Sequence, residues 1–186
     1  HLKQKYGIIT KNYFTNENCK YKNQSISRGI EGLYIHHIDE DKAIMLSTPS
    51  YAIKNPFSYQ QADRLVYCNL LEHLVLHIKI LEYPHPNKNP NEIVGYGGVF
   101  NFIIPELNDI YSGINYKQAW KIQAIQNVIN KYDDYLLCIE YLMNNFDYEI
   151  KLYLRSYNSS FGLWDTKNNK RVFEDLKKIY KKYKNI

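Results

Sequence analysis

An α+β fold is what this sequence predicts: a strand–connection–strand–helix unit near its N-terminal third, set in a mixed domain with a helical C-terminal region. Three observations predict it. Two short β-rich runs, at 31–38 (EGLYIHHI) and 65–68 (LVYC), precede a capped amphipathic segment. Helix-period segments and a basic amphipathic tail dominate the C-terminal half. The 186 residues are 45% hydrophobic and 15% aromatic, enough apolar surface to build one core and too much for a disordered chain.

Taken in order, residues 1–30 are polar and rich in Tyr, Lys and Asn, with Ile8-Ile9 the sole early apolar pair, and they predict no firm element. The run at 31–38 reads as a short strand behind Gly29 and Gly32. A long connection, 39–63, carries Pro49 and Pro56, with a little structure expected at 43–46. The second strand follows at 65–68. Asn69 then has the character of a helix N-cap, with Glu72 at the third helical position to complete a capping box. That helix is expected to reach residue 81. Leu71, Leu74, Val75 and Ile78 form its core stripe, and His73 and His77 occupy another face.

Residues 83–90 (YPHPNKNP) read as a linker and hinge, which divides the chain into an N-terminal segment, 1–82, and a C-terminal region, 91–186. Gly95-Tyr96-Gly97-Gly98 lacks the Lys-Ser/Thr ending of a phosphate loop and reads as turn chemistry. Helices are expected at 117–131 and 134–145. Near 148–157, Ile150, Leu152 and Leu154 alternate with Lys151, Tyr153 and Arg155, the pattern of a half-buried strand. A basic helix at 171–184 closes the chain.

Charge and cysteine content narrow the function. The net charge is +5 and the pI about 8.9, compatible with a nucleic-acid partner without demanding one. From Lys167 to Lys184 there are eight Lys/Arg against Glu174 and Asp175. Such a tail can touch phosphates or simply present a solvated helix face. Arg28 and Arg155 read as surface charge. Three scattered cysteines without a Cys-x-x-Cys disfavour both a disulfide framework and a cysteine-held zinc, and fit a reducing cytoplasm. No apolar run has membrane-spanning length, and nothing at the start reads as a signal peptide. The chain begins at His1 without Met; the start is expected to be trimmed, and His1 is left out of the chemistry.

The residues with the most chemistry are histidines. Four of the six fall in two pairs, His36-His37 and His73-x-x-x-His77, the second with the i, i+4 spacing that points both rings from one helical face. Three neutral imidazoles can hold a divalent metal while a fourth takes a proton from water. Either pair alone is weak; their joint arrangement with a strand and a capped helix is the stronger signal. His85, between two prolines, reads as exposed.

That order of parts resembles the HNH (ββα-metal, His-Me finger) endonucleases, and within them the pattern of the nuclease colicins. The matching stretch runs from Asp63-Arg64-Leu65-Val66 through Asn69 to His73 and His77, and with His36-His37 the resemblance covers 36–80. It implies a ββα-metal nuclease core at about 31–81. Residue by residue, it implies His36, His73 and His77 as metal ligands and His37 as the general base. Arg64 stands where the family has its middle Asn, so Arg64 is expected to support the loop or to reach a phosphate, and Asn69 is more simply a cap. A backbone carbonyl or an acid is expected to orient the base, and Asp39, Glu40 and Asp41 are the acids at hand. The resemblance further implies one divalent ion (Mg²⁺, Mn²⁺, Zn²⁺ or Ni²⁺), DNA as substrate, a restriction or defence role, and a possible homodimer. A toxin or mobile-element nuclease would use the same site. The contrasting expectation is a non-catalytic nucleic-acid-binding protein in which histidines hold a structural zinc.

Overall fold

Antiparallel pairing of β1 (Tyr34–His37) with β2 (Leu65–Cys68) is the centre around which the N-terminal half is assembled; in register, His36 faces Val66 and His37 faces Leu65. The computed structural model describes residues 1–162 and 166–184. Ahead of β1 lie a short helix, α1 (Leu2–Tyr6), and two 3₁₀ turns, Gln24–Ile26 and Gly29–Glu31. A 3₁₀ turn at Ile38–Asp41 follows β1 directly. The connection to β2 contains α2 (Pro49–Ala52) and two further 3₁₀ turns, while 43–46 forms no regular element. No helix among the described residues is long and apolar enough to cross a membrane.

Behind β2 comes α3 (Leu70–Glu82), which begins where its capping chemistry says it should. Asn69 accepts from the Glu72 amide at 2.9 Å and Glu72 accepts from the Asn69 amide at 2.9 Å, so two of the helix's orphan donors are satisfied reciprocally. Leu71, Leu74 and Ile78 enter the core as expected; Val75 does not, and is 43% exposed. Residues 83–90 are pinned back to the turn after β1, because His85 N donates to Asp41 O (3.1 Å) and Asn89 N to Lys42 O (2.9 Å).

The C-terminal half contains α4 (Ile104–Tyr111), entered through a π-helical segment at Gly98–Ile103, then α5 (Ala119–Gln126), α6 (Tyr132–Asn145), α7 (Ile150–Tyr153), α8 (Tyr157–Phe161) and α9 (Lys170–Lys184). Every residue of α4 is buried. It forms the axis of the main core with α3, α6 and α9, where Leu74, Phe100, Leu107, Tyr135, Ile139 and Leu176 meet. The strand expected near 148–157 is absent. The alternation there is broken by a helical turn that buries the adjacent pair Leu152 and Tyr153, which a strand would send to opposite faces. α9 buries Val172 and Leu176 and pairs Lys182 with Glu140 (3.3 Å) and Lys184 with Asp147 (2.6 Å), so much of its charge lies along a docked, solvated face.

Candidate metal centre

Successive residues of a strand point to opposite faces, and β1 uses that rule to separate its two histidines. His36 turns towards α3, its ring centroid 5.1 Å from those of both His73 and His77. His37 turns the other way, against Tyr13 at 4.5 Å. The 3₁₀ turn that follows carries Glu40 back beneath them. One carboxylate oxygen of Glu40 lies 3.1 Å from His77 Nε2 and 3.6 Å from His36 Nδ1; the other is 3.9 Å from His37 Nδ1. His73 Nε2 and His77 Nε2 are 3.1 Å apart.

His36, Glu40, His73 and His77 thus offer donor atoms all within 4.8 Å of one another, and the four could hold a metal ion. Tetrahedral ligands about 2.0–2.1 Å from an ion stand about 3.3 Å from each other; the closest separations here, 3.1–3.6 Å, are near this, and the whole set falls within 4.8 Å. A set of three imidazoles and a carboxylate suits the later first-row metals. Nδ1 of His36, which faces Glu40, is buried without a hydrogen-bond partner, a cost the protein alone does not offset. Burial holds the His36 imidazolium down to about pKa 3 and that of His73 well below the ordinary value, the neighbouring rings adding to the effect. Both are therefore neutral, the form that ligates metal. For Glu40, burial works to raise the carboxyl, but the hydrogen bond and charge of His77, with His36 and His37, outweigh it and keep the group below the usual carboxylate range.

Three of the implied site residues are brought together and one is not. His37 is fully buried, its Nε2 lies 2.9 Å from Gln60 Oε1, and Gln60 is itself held by Leu46 O (3.1 Å). Arg64 is committed to the loop: its guanidinium makes a bidentate pair with buried Asp39 at 2.7 Å in each arm, the geometry that gives such pairs their specificity. Lys42 adds a third contact at 2.7 Å. Asp39 is thereby fixed from the 3₁₀ turn Ala62–Arg64 that leads into β2, and the turn bearing Glu40 is fixed with it. Asn69 is the cap of α3 and takes no part in the cluster.

Two residues that sequence reasoning set aside shape the site. Glu40 was one of three acids with equal claim to a supporting role; its i+4 offset from His36 was the available signal. Gly98, read as turn chemistry, lies against the His77 ring. A Cβ there would sit 2.5 Å from His77 Cγ and closer still to two other ring atoms. Gly95, at φ 79°, brings the same segment against α3, where a Cβ would meet Leu81 N at 2.6 Å and His77 O at 2.7 Å. Only glycine gives this approach.

The cluster opens onto a cavity of about 530 Å³, whose walls include Glu40, His73, His77, Met45, Tyr51, Tyr96, Gly98 and Phe102. His37 is not among them. Family models, curated proteins and solved structures give no match to the chain.

Proposed function

We propose that the protein is a metal-dependent endonuclease that hydrolyses DNA phosphodiester bonds, in the restriction or defence setting implied by the HNH resemblance. One observation carries the reading: a cluster of three histidines and a glutamate, built from a strand end and the following helix, opens onto a cavity. A divalent ion bound there supplies charge stabilisation at the phosphate and the leaving oxygen. His36, His73 and His77 are its expected ligands, with His36 and His73 presented as neutral rings. Glu40 is the group the geometry favours for taking the proton from the attacking water, because its ionised carboxylate faces the cavity. His37 becomes a positioning residue behind it, braced by Gln60 and directed at the far oxygen of Glu40. The base role that the resemblance gives His37 would require water to reach a ring with no exposed surface.

A second reading is favoured by Glu40 itself. With it the donor set reaches four, the number found in closed structural zinc sites, and a nucleic-acid-binding protein could be stabilised in that way without cutting anything. The cavity weighs against it, since three of the four donors line an open space and structural sites are closed.

Cleavage of supercoiled plasmid by metal-stripped protein, with Mg²⁺, Mn²⁺, Zn²⁺ or Ni²⁺ restored, separates these readings. The wild type is expected to cut, and His73→Ala to lose both metal and cutting. Glu40→Gln should keep its metal and slow cutting by about 10²–10⁴-fold, the range for a lost proton acceptor. A larger loss in His37→Ala than in Glu40→Gln would return the base role to His37. No cutting of plasmid, single-stranded DNA or RNA with any metal, together with unfolding when metal is withdrawn, would leave the structural-zinc reading standing.

A further inference from the structure

The walls of the cavity beside the cluster say which form of nucleic acid it takes, given the nuclease reading above, on which this inference rests. Nucleic-acid backbones are gripped by Lys and Arg, yet among the described residues no Lys or Arg lines this space. Its side chains are instead Ile44, Met45, Tyr51, Tyr96, Phe102 and Ile103, with a few hydroxyls and amides. Its volume, about 530 Å³, is that of a small-molecule pocket and far exceeds what an ion and its water need.

The rim is also apolar where solvent would ordinarily favour polar groups. Tyr51, Ile93 and Phe102 are 39%, 66% and 46% exposed, and all three border the same cavity. The backbone of Phe102 is fixed. Phe102 belongs to the π-helical segment Gly98–Ile103, and its carbonyl accepts from Tyr157 OH at 3.1 Å. Met45 keeps a left-handed backbone, φ 58°, a conformation uncommon for a residue with a side chain. π-Helical segments are frequent at functional sites.

We propose that this cavity receives an unstacked nucleobase of a single-stranded nucleic acid, with Phe102 as its principal stacking platform, and that the adjoining phosphodiester is the bond presented to the metal cluster. In a duplex both faces of a base are covered by its neighbours, and only an unpaired or extruded base can offer a face to an aromatic side chain. An apolar, aromatic wall recognises that face and does not need to know the base's identity, so cleavage is expected to prefer single strands without strong sequence selectivity.

The test compares single-stranded and duplex oligonucleotides of one sequence, as DNA and as RNA, using metal-loaded protein with Mn²⁺. Wild type should favour single strands of at least one kind by about ten-fold or more in kcat/KM. Phe102→Ala should cut that value by about 5- to 100-fold, the effect of a lost base–aromatic stack, and abolish the preference. Its metal content and Tm should match the wild type, and Phe102→Tyr should restore the preference. Equal cleavage of duplex and single strand by the wild type, or an unaltered preference in Phe102→Ala, overturns the base pocket while leaving the nuclease intact. If the wild type cleaves nothing, the nuclease reading fails, and fluorescence anisotropy of a labelled single strand judges the pocket alone. Binding that is lost in Phe102→Ala sustains it, and absence of binding overturns it.

Discussion

The two halves of the molecule bury polar groups on opposite terms. Around α4, Asn108 donates to Tyr153 O (2.9 Å) and Arg155 O (2.7 Å) and accepts from Tyr135 OH (2.7 Å). Asp109 accepts from the Tyr157 amide at 2.9 Å and from Asn169 at 3.3 Å. Around β1 and α3 the accounting fails. Of six buried side-chain polar atoms that lack a partner among the described residues, five belong to His36, His37, Asp41, His73 and His77. Native interiors rarely leave such atoms unpaired. A satisfied network fixes a fold; here the unpaired atoms lie on and around the histidines of the cluster, three of them on His36, His73 and His77 themselves.

The largest stability effect should therefore come from the satisfied half. Asn108→Ala removes the group on which Tyr135 OH and two backbone carbonyls depend, and each buried partner left alone costs about 1–3 kcal/mol. A loss of about 2–4 kcal/mol, read as a fall in Tm of about 4–16 °C, is the expected outcome, with metal content unchanged. His73→Leu in metal-free protein should do far less, within about 1 kcal/mol, because an unpaired buried polar group is exchanged for an apolar one. If His73→Leu costs as much as Asn108→Ala, the two halves do not differ in the way described.

How much of this could be read from the chain depends on how local each cause is. β2, the Asn69–Glu72 capping box and α3 follow from neighbours in sequence, and they were legible. So was the pairing of His36 with His73 and His77, since strand alternation and helical spacing are local rules. α4 was missed because it is buried all round, so that Glu106, Asn108 and Asp109 mark no solvent face, and because Pro105 in its first turn reads as a break. The strand assigned near 148–157 failed for the converse reason: three alternating residues fit a period of two by chance, and α7 has only one turn in which to contradict it. The placement of His37 depends on Tyr13 and Gln60, each more than twenty positions away in sequence, and no local rule foresees that.

Gly98 sharpens the comparison from the helical side, because it is where the C-terminal half touches the cluster. Gly98→Ala places a methyl group inside the space of the His77 ring, and either the ring or the π-helical segment must move. The core beneath, Val99, Phe100 and Ile103, is unaltered, so Tm should fall only slightly. Metal affinity, followed by competition with a chromogenic chelator, should weaken by about 10–100-fold, the usual result of disturbing a ligand's supporting contacts. Unchanged affinity would mean that His77 is not held by this contact.

Proton uptake also distinguishes the halves. All six histidines lie at or before position 85, so between about pH 4 and 6.5 the imidazoles of the N-terminal half carry the protein's distinctive acid response. Burial lowers the pKa of His36, to about 3, and also those of His37 and His73; in the unfolded chain each returns to about 6.5. Below about pH 6.5 the unfolded state therefore binds more protons than the folded one. The stability these rings contribute is complete above that pH and is lost as pH falls towards the folded values. Each such imidazole removes up to about 1.4 kcal/mol per pH unit within that window. Metal-stripped protein should accordingly melt lower at pH 5 than at pH 7.5, with hydrogen exchange rising first in β1 and α3, and His73→Leu should flatten the slope. Equal melting at the two pH values would mean that the folded rings take up protons as freely as unfolded ones, and that His36, His37 and His73 are not held neutral by burial.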